Sequence, residues 1–218
     1  PPVPVEANFP LFVIFTSGTL GKPKGICHAH AYVAGIVETM SVCFGAELGV
    51  DRMLTIGTLG WITGQSYMVS ASLACGVMSV LMRGSPTRPS KARFLEVINR
   101  HRVTIFKAGS AFLRDVMASP DGVRQVREGA AKSLRVATFC AEVVSPAVHE
   151  FAQSAICRRY VNSYWATEHG GIAWSVGASQ ASKADAHTWP LPWVCADVYV
   201  LAGLDRDGKV RAAGSGEA

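Results

Sequence analysis

The sequence predicts an α/β fold in which a mostly parallel sheet carries helices on its faces. Short apolar runs rich in β-branched residues, which favour strands, alternate along the chain with longer segments whose apolar residues recur at helical spacing. Such alternation is typical of parallel sheets, because two parallel strands need a crossover connection between them. Ligands of such folds bind at the carboxyl ends of the strands, so we expect the functional residues there.

The predicted strands are short apolar runs. The first, Leu11–Phe15, is continuously apolar and is therefore predicted to be a buried strand. The remaining predicted strands are 52–56, 77–82, 103–106, 134–139, 160–163 and 196–201. The segment 176–192 has no regular period and is predicted to be a mobile or exposed loop.

The predicted helices are the segments with helical periodicity, namely 30–44, 66–74, 91–100, 111–117 and 145–156. The last of them begins with Ser145 and Pro146, a capping residue followed by the residue favoured in a first turn. The four residues 119–122, Ser-Pro-Asp-Gly, are common turn residues and predict a turn.

Composition predicts a globular unit that belongs to something larger. A chain of 218 residues can bury roughly 70% of its unfolded surface, which suffices for a core without disulfide or metal staples. The hydrophobic share of 49% is high beside 17% charged residues, which predicts faces that other parts of a longer polypeptide cover. We therefore expect residues 1–218 to be part of a domain rather than a whole protein.

Charge and cysteine usage exclude some classes of function. The net charge of +5 suits anionic ligands, and it equally suits solubility; the basic residues are scattered, so nucleic acid binding is not expected. The six cysteines lack a C-x-x-C pair and are predicted to be small buried hydrophobes of a cytoplasmic protein. His28 and His30 lack a third zinc ligand, and serines and a glycine break the longest apolar stretch, 67–82, so neither zinc nor membrane insertion is expected.

The segment Thr16–Gly25 reads T-S-G-T-L-G-K-P-K-G and directly follows the first predicted strand. Its glycines let backbone N–H groups approach phosphate oxygens, its hydroxyls donate hydrogen bonds, and Lys22 and Lys24 add charge-assisted ones. The segment therefore predicts a polyphosphate site. The P-loop pattern of NTPases fails, because Thr16 stands where it requires glycine and Pro23 where it requires serine or threonine. A flexible surface turn is the alternative.

Two further motifs occur in order. Residues 162–171 read N-S-Y-W-A-T-E-H-G-G, and residues 60–67 read G-W-I-T-G-Q-S-Y, followed by L-A-C-G at 73–76. Together with the glycine-rich loop, these motifs resemble the acyl-adenylate-forming superfamily of acyl-CoA synthetases, peptide-synthetase adenylation domains and luciferases, and within it the acetyl- and propionyl-CoA synthetases. The resemblance implies that residues 1–218 are part of the large N-terminal domain, with the C-terminal lid domain outside them.

The resemblance also implies a role for each matching residue. Thr167 and Glu168 would be the catalytic residues: Thr167 would contact the α-phosphate of ATP, and Glu168 would also help to hold Mg²⁺. An N-cap followed by a first-turn acid is the alternative for this pair. The implied phosphate-binding residues are Thr16, Ser17, Gly18, Thr19, Gly21, Lys22 and Lys24. The implied adenine-binding residues are Ala141, Glu142, Asn162, Ser163 and Tyr164.

Trp165 stands where short-chain synthetases of this superfamily have a tryptophan that closes the acyl pocket. The implied pocket residues are Ile62, Thr63, Cys140 and Trp165, and a core aromatic is the alternative for the tryptophan. The sequence departs from the family pattern at four positions, Leu20, Ala141, Val143 and Asn162, which predicts weakened or altered nucleotide binding.

The implied activity is ATP-dependent conversion of a short-chain carboxylate, acetate or propionate, to acyl-AMP and then to acyl-CoA. ATP, Mg²⁺ and coenzyme A are the expected cofactors and substrates, and the lid domain of the same polypeptide is the expected partner for turnover. Two alternatives remain: a domain that loads a carrier protein, and a degenerate relative that binds nucleotide or a partner without catalysis.

Overall fold

The structure, a computed structural model, describes residues 1–16, 21–139, 144–178, 189–195, 201–204 and 210–212. Its strands are β1 (Pro10–Thr16), β2 (Lys24–Ala29), β3 (Arg52–Thr55), β4 (Met78–Val80), β5 (Ile105–Lys107), β6 (Val136–Thr138), β7 (Tyr160–Val161), β8 (Ser163–Tyr164), β9 (Trp174–Ser175), β10 (Trp189–Pro190), β11 (Leu201–Leu204) and β12 (Val210–Ala212). Its α-helices are α1 (Tyr32–Phe44), α2 (Ala71–Cys75), α3 (Arg93–His101), α4 (Ser110–Met117), α5 (Pro120–Gly129) and α6 (Pro146–Ala155).

The central sheet is parallel throughout and has the strand order β4-β3-β5-β6-β7. The prediction of a mostly parallel sheet with helices on its faces is confirmed. Successive side chains of a strand point to opposite faces, so each strand contributes to two cores. Phe106 packs with the core that includes residues of α3, α4, α5 and α6, whereas Ile105 packs with residues of α1 on the other face.

The first predicted strand is present, but the prediction that it is buried is wrong. β1 pairs antiparallel with β2 in a two-stranded hairpin that lies outside the parallel sheet, so one face of β1 stays exposed. Val13 is 52% and Phe15 71% exposed, whereas Ile14 between them is buried. Gly25 of β2 lies opposite Phe15, and a Cβ there would approach the side chains of Phe15 and Val13 to 3.3 Å. The strand β2 itself was not predicted.

The predicted turn at 119–122 is also wrong, because these residues begin helix α5. Ser119 occupies the N-cap position, where its side chain accepts a hydrogen bond from the backbone N–H of Gly122 at 3.1 Å. Pro120 takes the first helical position, where a missing N–H costs nothing. Ser145 and Pro146 begin α6 in the same way, as predicted.

The predicted helix 66–74 consists of two parts. A π-helical segment, Gly64–Ser70, runs directly into α2, and Tyr67 of this segment is completely buried.

A second small sheet follows the parallel one and has the antiparallel order β10-β9-β8. Of the predicted strand 196–201 and the predicted loop 176–192, residues 196–200 and 179–188 lie outside the described part of the chain.

Asp51 and Arg135 connect elements at the amino ends of the parallel strands. The buried Asp51 carboxylate, 3% exposed, accepts hydrogen bonds from Arg135 Nη2 at 2.6 Å, Thr104 Oγ1 at 2.6 Å and the Glu47 N–H at 2.8 Å. Arg135 also donates to the Phe44 and Gly45 carbonyls at the end of α1. These bonds join the end of α1 to the starts of β3, β5 and β6.

The cysteine prediction is correct for only some positions. Cys43 and Cys157 are buried, Cys75 is intermediate, and Cys27 and Cys195 are exposed. Burial raises the pKa of the Cys43 thiol to about 11.

None of the described helices combines the length and apolar character needed to cross a membrane. The described residues also contain no cluster of three or more His, Cys, Asp or Glu side chains suited to a metal ion.

Candidate functional site

Two neighbouring residues at the end of β8 have different predicted ligands: adenine for Tyr164 and the acyl group for Trp165. Tyr164 is 59% exposed, whereas Trp165, the next residue, is 9% exposed. Because neighbouring side chains in extended backbone point to opposite faces, the two rings face different surroundings. Tyr164 lies on the open side and Trp165 in the core that contains Ile62 and Tyr67.

On the open side, Tyr164 and Asn162 help to line a cavity of about 1020 Å³. Helix α1 contributes Tyr32 and Ile36 to its wall, and Trp193 lies on the wall as well. The volume is at the upper end of the range for small-molecule sites, which bury most of their ligand between apolar and aromatic groups. The cavity therefore has room for a ring system beside Tyr164.

Asn162 and Ser163 differ in how available their side chains are. The Asn162 side chain is partly buried, and its Oδ1 accepts a hydrogen bond from the Ser163 N–H at 2.9 Å. Ser163 is 5% exposed; its hydroxyl accepts a hydrogen bond from Thr138 Oγ1 at 3.0 Å and donates one to the Phe139 carbonyl. These bonds attach β8 to the end of β6. The adenine contacts assigned to Asn162 and Ser163 stay predictions.

On the buried side, Trp165 packs edge-to-face against Tyr67, with ring centroids 5.4 Å apart and ring planes at 88°. Ile62 belongs to the same core, and the partly buried Thr63 directly precedes the π-helical segment. Lys107 approaches both rings with its ammonium group, which is 4.6 Å from the Tyr67 centroid and 5.1 Å from that of Trp165. The sequence prediction missed Tyr67 and Lys107, although Lys107 directly follows a predicted strand, where the fold places ligands.

Thr167 and Glu168 lie in a single 3₁₀ turn, Thr167–His169. Thr167 is partly buried and Glu168 is exposed. Ala166 rather than Thr167 precedes the turn as its N-cap residue, so the alternative of Thr167 as an N-cap is wrong. The Ala166 N–H donates to His169 Nδ1 at 3.1 Å, which fixes the start of the turn. Glu168 is thereby presented to solvent as a carboxylate that a hard cation could reach.

Gly170 brings this turn against the hairpin and α1. Its φ is +77°, and a Cβ at this position would lie 2.7 Å from Tyr32 Cδ2 and 3.1 Å from His28 Nδ1, so only glycine fits. Ser66 donates a hydrogen bond to the Gly170 carbonyl, and the Ile172 N–H donates to the Tyr67 hydroxyl at 3.0 Å. The turn is thus attached to the π-helical segment on one side and to the hairpin on the other.

His28 of β2 is the contact between the hairpin and the turn. Burial lowers the pKa of its imidazole, and this effect exceeds the opposing effects of a hydrogen bond with the Thr167 backbone and of the Glu168 charge. The side chain is 5% exposed. A buried neutral histidine therefore links the strand that follows the glycine-rich loop to the turn that carries Thr167 and Glu168.

The described part of the glycine-rich segment, Thr16 and residues 21–25, lies at the end of the hairpin. Thr16 pairs with Lys24 in the last register position, and the connection between them includes Gly21, with φ +81°, and Lys22. Lys22 and Lys24 are exposed. The predicted phosphate ligands Ser17, Gly18 and Thr19, the departing Leu20, and the predicted Cys140, Ala141, Glu142 and Val143 lie outside the described residues.

The residues present suit the groups that the motifs imply. The exposed Glu168 carboxylate is the kind of single oxygen ligand that Mg²⁺ takes beside waters and phosphates. The exposed lysines at the hairpin end offer cationic donors for phosphate oxygens. Tyr164 offers an aromatic face in an open cavity, which suits a purine.

Comparisons with known proteins point in one direction. A family model described as "AMP-binding enzyme" matches residues 1–217. An acetyl-coenzyme A synthetase 1 from Debaryomyces hansenii is 36% identical over 174 residues, which cover 78% of this chain and 26% of that protein. An acetyl-coenzyme A synthetase from Leptospira biflexa is 30% identical over 220 residues, which cover 99% of this chain and 33% of that protein.

The fold has a counterpart among solved structures. The crystal structure of the anthranilate CoA ligase AuaEII in complex with anthranoyl-AMP matches 95% of this chain and 38% of that chain, with a TM-score of 0.71 and 22% identity, which supports the fold alone. The chain spans about a quarter to a third of the length of the two synthetases. Because the family model covers nearly every residue, the chain belongs to the AMP-binding enzyme family.

Proposed function

We propose that this chain is the nucleotide- and acyl-binding core of an AMP-forming acyl-CoA synthetase that activates a short-chain carboxylate, acetate or propionate. The observation that carries the proposal is the arrangement around β8. Tyr164 faces an open cavity, Trp165 lies in the core against Tyr67, and Thr167 and Glu168 follow within one turn. A nucleotide beside Tyr164 and an acid beside Trp165 would then lie on two sides of one reacting phosphate, as adenylation requires.

The chemistry requires charge neutralisation and alignment more than proton transfer. The carboxylate oxygen attacks the α-phosphorus of ATP and pyrophosphate leaves; the thiol of coenzyme A then attacks the acyl carbon and AMP leaves. Lys22 and Lys24 would neutralise the phosphates, and the Thr167 hydroxyl would donate to the α-phosphate. Glu168 would hold Mg²⁺, which when bound supplies further neutralisation of the phosphate charge.

The substrate assignment rests on Trp165, which stands where the short-chain synthetases of the superfamily have a tryptophan that closes the acyl pocket. Trp165, with Ile62, Thr63 and Cys140, would leave room for a short acyl chain only. The two relatives described above are named acetyl-coenzyme A synthetases, which supports a short acid. One methylene changes discrimination in such a pocket by about 1 to 3 kcal/mol, so acetate and propionate are both retained as candidates. The C-terminal lid domain would complete the site for the thiol step.

The test is carboxylate-dependent exchange of pyrophosphate into ATP, measured with the full-length polypeptide. We expect exchange with acetate or propionate, and about a tenfold or larger loss in Lys24→Met, because a charge-assisted contact to phosphate disappears. Lys132→Met is the matched control, since Lys132 is equally exposed but lies before β6, at the amino end of the sheet. Equal exchange in both variants would contradict the role of Lys24.

The departures from the family pattern favour one second candidate, a nucleotide-binding relative without catalysis. Leu20 removes a hydroxyl from the loop and Asn162 replaces a carboxylate. Calorimetry of ATP binding and the exchange assay together separate the candidates. ATP binding without carboxylate-dependent exchange supports the degenerate protein, whereas exchange supports the synthetase. If exchange occurs but the acyl group passes only to a carrier protein and not to coenzyme A, the chain is a carrier-loading domain.

A further inference from the structure

Lys107 is a buried lysine whose ammonium group contacts two aromatic rings of the core, Tyr67 and Trp165. It is the last residue of β5, the middle strand of the parallel sheet, and its side chain is completely buried. Its ammonium lies 4.6 Å from the Tyr67 ring centroid and 5.1 Å from that of Trp165. It therefore stands at the carboxyl edge of the sheet, beneath the tryptophan that the proposed function places against the acid.

The geometry suits a cation that fixes two rings at once. The planes of Tyr67 and Trp165 are at 88° and their centroids are 5.4 Å apart, so a group that contacts both rings restricts the angle between them. The attraction of a cation to an aromatic ring grows when water is excluded, as it is here. Tyr67 is held independently, because its hydroxyl accepts a hydrogen bond from the Ile172 N–H. Lys107 thus positions Trp165 relative to a fixed neighbour.

We propose that Lys107 is a positioning residue for Trp165 and thereby determines which acyl chain lengths the enzyme accepts. The inference rests on the proposed function, because it assumes that Trp165 closes the acyl pocket. The residue need not touch the substrate: by holding the indole ring, Lys107 sets the depth of the pocket. Neither the sequence motifs nor the family resemblance assigned a role to this lysine.

A purely structural role makes a different prediction. Replacing a buried charge by an apolar side chain of similar length is often neutral or stabilising, because the desolvation cost of the charge disappears. If Lys107 served only to fill space, Lys107→Met would fold and would treat all acids as the wild type does. If it positions Trp165, the same variant would fold and change the relative rates for acids of different length.

The first measurement compares kcat/KM for acetate, propionate and butyrate in the full-length polypeptide. We expect Lys107→Met to raise the ratio of butyrate to acetate by about tenfold, which is within the range that one methylene contributes. Lys107→Arg retains a cation that stacks on aromatic rings and should restore much of the wild-type ratio. A uniform loss with all three acids, at an unchanged ratio, would overturn the proposal. If the methionine variant does not fold, Lys107→Gln takes its place.

The second measurement does not depend on catalysis. The emission of Trp165 is obtained by subtracting the spectrum of Trp165→Phe from that of the parent, with and without Lys107→Met. Removal of the cation should shift this emission, whereas Arg127→Met, which removes a guanidinium 5.8 Å from the Phe151 ring, should not. Unchanged Trp165 emission overturns the proposed contact. A shift together with absent pyrophosphate exchange in the wild type would refute the proposed function and leave the contact established.

Discussion

At the scale of single residues, direction matters as much as identity. Tyr164 and Trp165 are neighbours in the sequence, yet one ring lies beside the open cavity and the other in the closed core. The difference follows from the pleat of an extended strand, in which adjacent side chains point to opposite faces. A shift of register by one residue would exchange the two rings. The attachment of β8 through Ser163 to Thr138 and Phe139 therefore keeps Tyr164 beside the cavity and Trp165 in the core.

Trp165→Gly is the residue-scale prediction for the pocket. Removing the indole opens space in the core beside Ile62 and Tyr67, so we expect the full-length enzyme to prefer longer acids, with at least a tenfold change in the ratio of kcat/KM for hexanoate to that for acetate. Trp165→Phe keeps an aromatic wall and is the matched control. Thermal melts of both variants show whether the glycine variant is folded. Unchanged selectivity in a folded glycine variant would mean that Trp165 is a core aromatic.

The sequence was more informative about the motif residues than about the residues that pack against them. The glycine-rich segment could be found because its residue types suit phosphate binding, and the Thr167-Glu168 pair because the motif around it resembles that of a known superfamily. Lys107 could not, because a single lysine after an apolar run has no pattern, and the rings that it contacts lie 40 positions before it and 58 positions after it. His28 has the same difficulty, since its contact with the Thr167 turn arises only from the packing of the hairpin.

At the scale of elements, the parallel strands were predictable and the hairpin was not. Runs such as residues 103–106 have a β-branched composition that leaves few alternatives. β2 contains lysine, glycine and histidine, which reads as a loop, and it becomes a strand because β1 pairs with it. The start of α5 was mistaken for a turn because serine, proline and aspartate favour both a turn and a helix N-terminus. In both cases the local sequence is compatible with two conformations, and contacts with a neighbouring segment determine which one forms.

The burial of His28 between the hairpin and the turn should make the free energy of unfolding depend on pH. Because burial lowers the native pKa of His28 from 6.5, the unfolded state binds the proton more tightly. The stabilisation is complete above about pH 6.5 and decreases as the pH falls toward the lowered native pKa. Urea denaturation between about pH 5 and pH 7.5 measures this slope.

His28→Asn should reduce that pH dependence, because an amide donates a hydrogen bond but does not titrate in this range. His101→Asn is the matched control, since it makes the same replacement at an exposed position at the end of α3. Identical slopes in the wild type and in His28→Asn would show that His28 titrates alike in the native and unfolded states.

At the scale of the whole molecule, the two ends of the parallel strands carry different groups. The carboxyl edge carries Lys107 and, through Thr138, the attachment of β8. The amino edge carries the network of Asp51, Thr104 and Arg135. In parallel sheets ligands bind beyond the carboxyl ends, so residues at the opposite edge can be selected for stability without conflict with binding. We therefore expect substitutions at the amino edge to change stability without changing ligand binding.

Arg135→Ala tests this separation. The substitution leaves the Asp51 carboxylate buried without its cationic partner, so we expect the free energy of unfolding to fall by about 2 to 3 kcal/mol, less than for a fully buried pair because Arg135 is 42% exposed. Asp51→Asn should cost less, about 1 kcal/mol, since the arginine left behind is partly solvated. Arg124→Ala, which removes exposed ion pairs on α5, should cause no measurable change.

Urea midpoints give the order of these costs, and calorimetry on the folded variants should give unchanged ATP affinity. A loss of affinity in folded Arg135→Ala would show instead that the amino edge is coupled to the binding site through β3, β5 and β6.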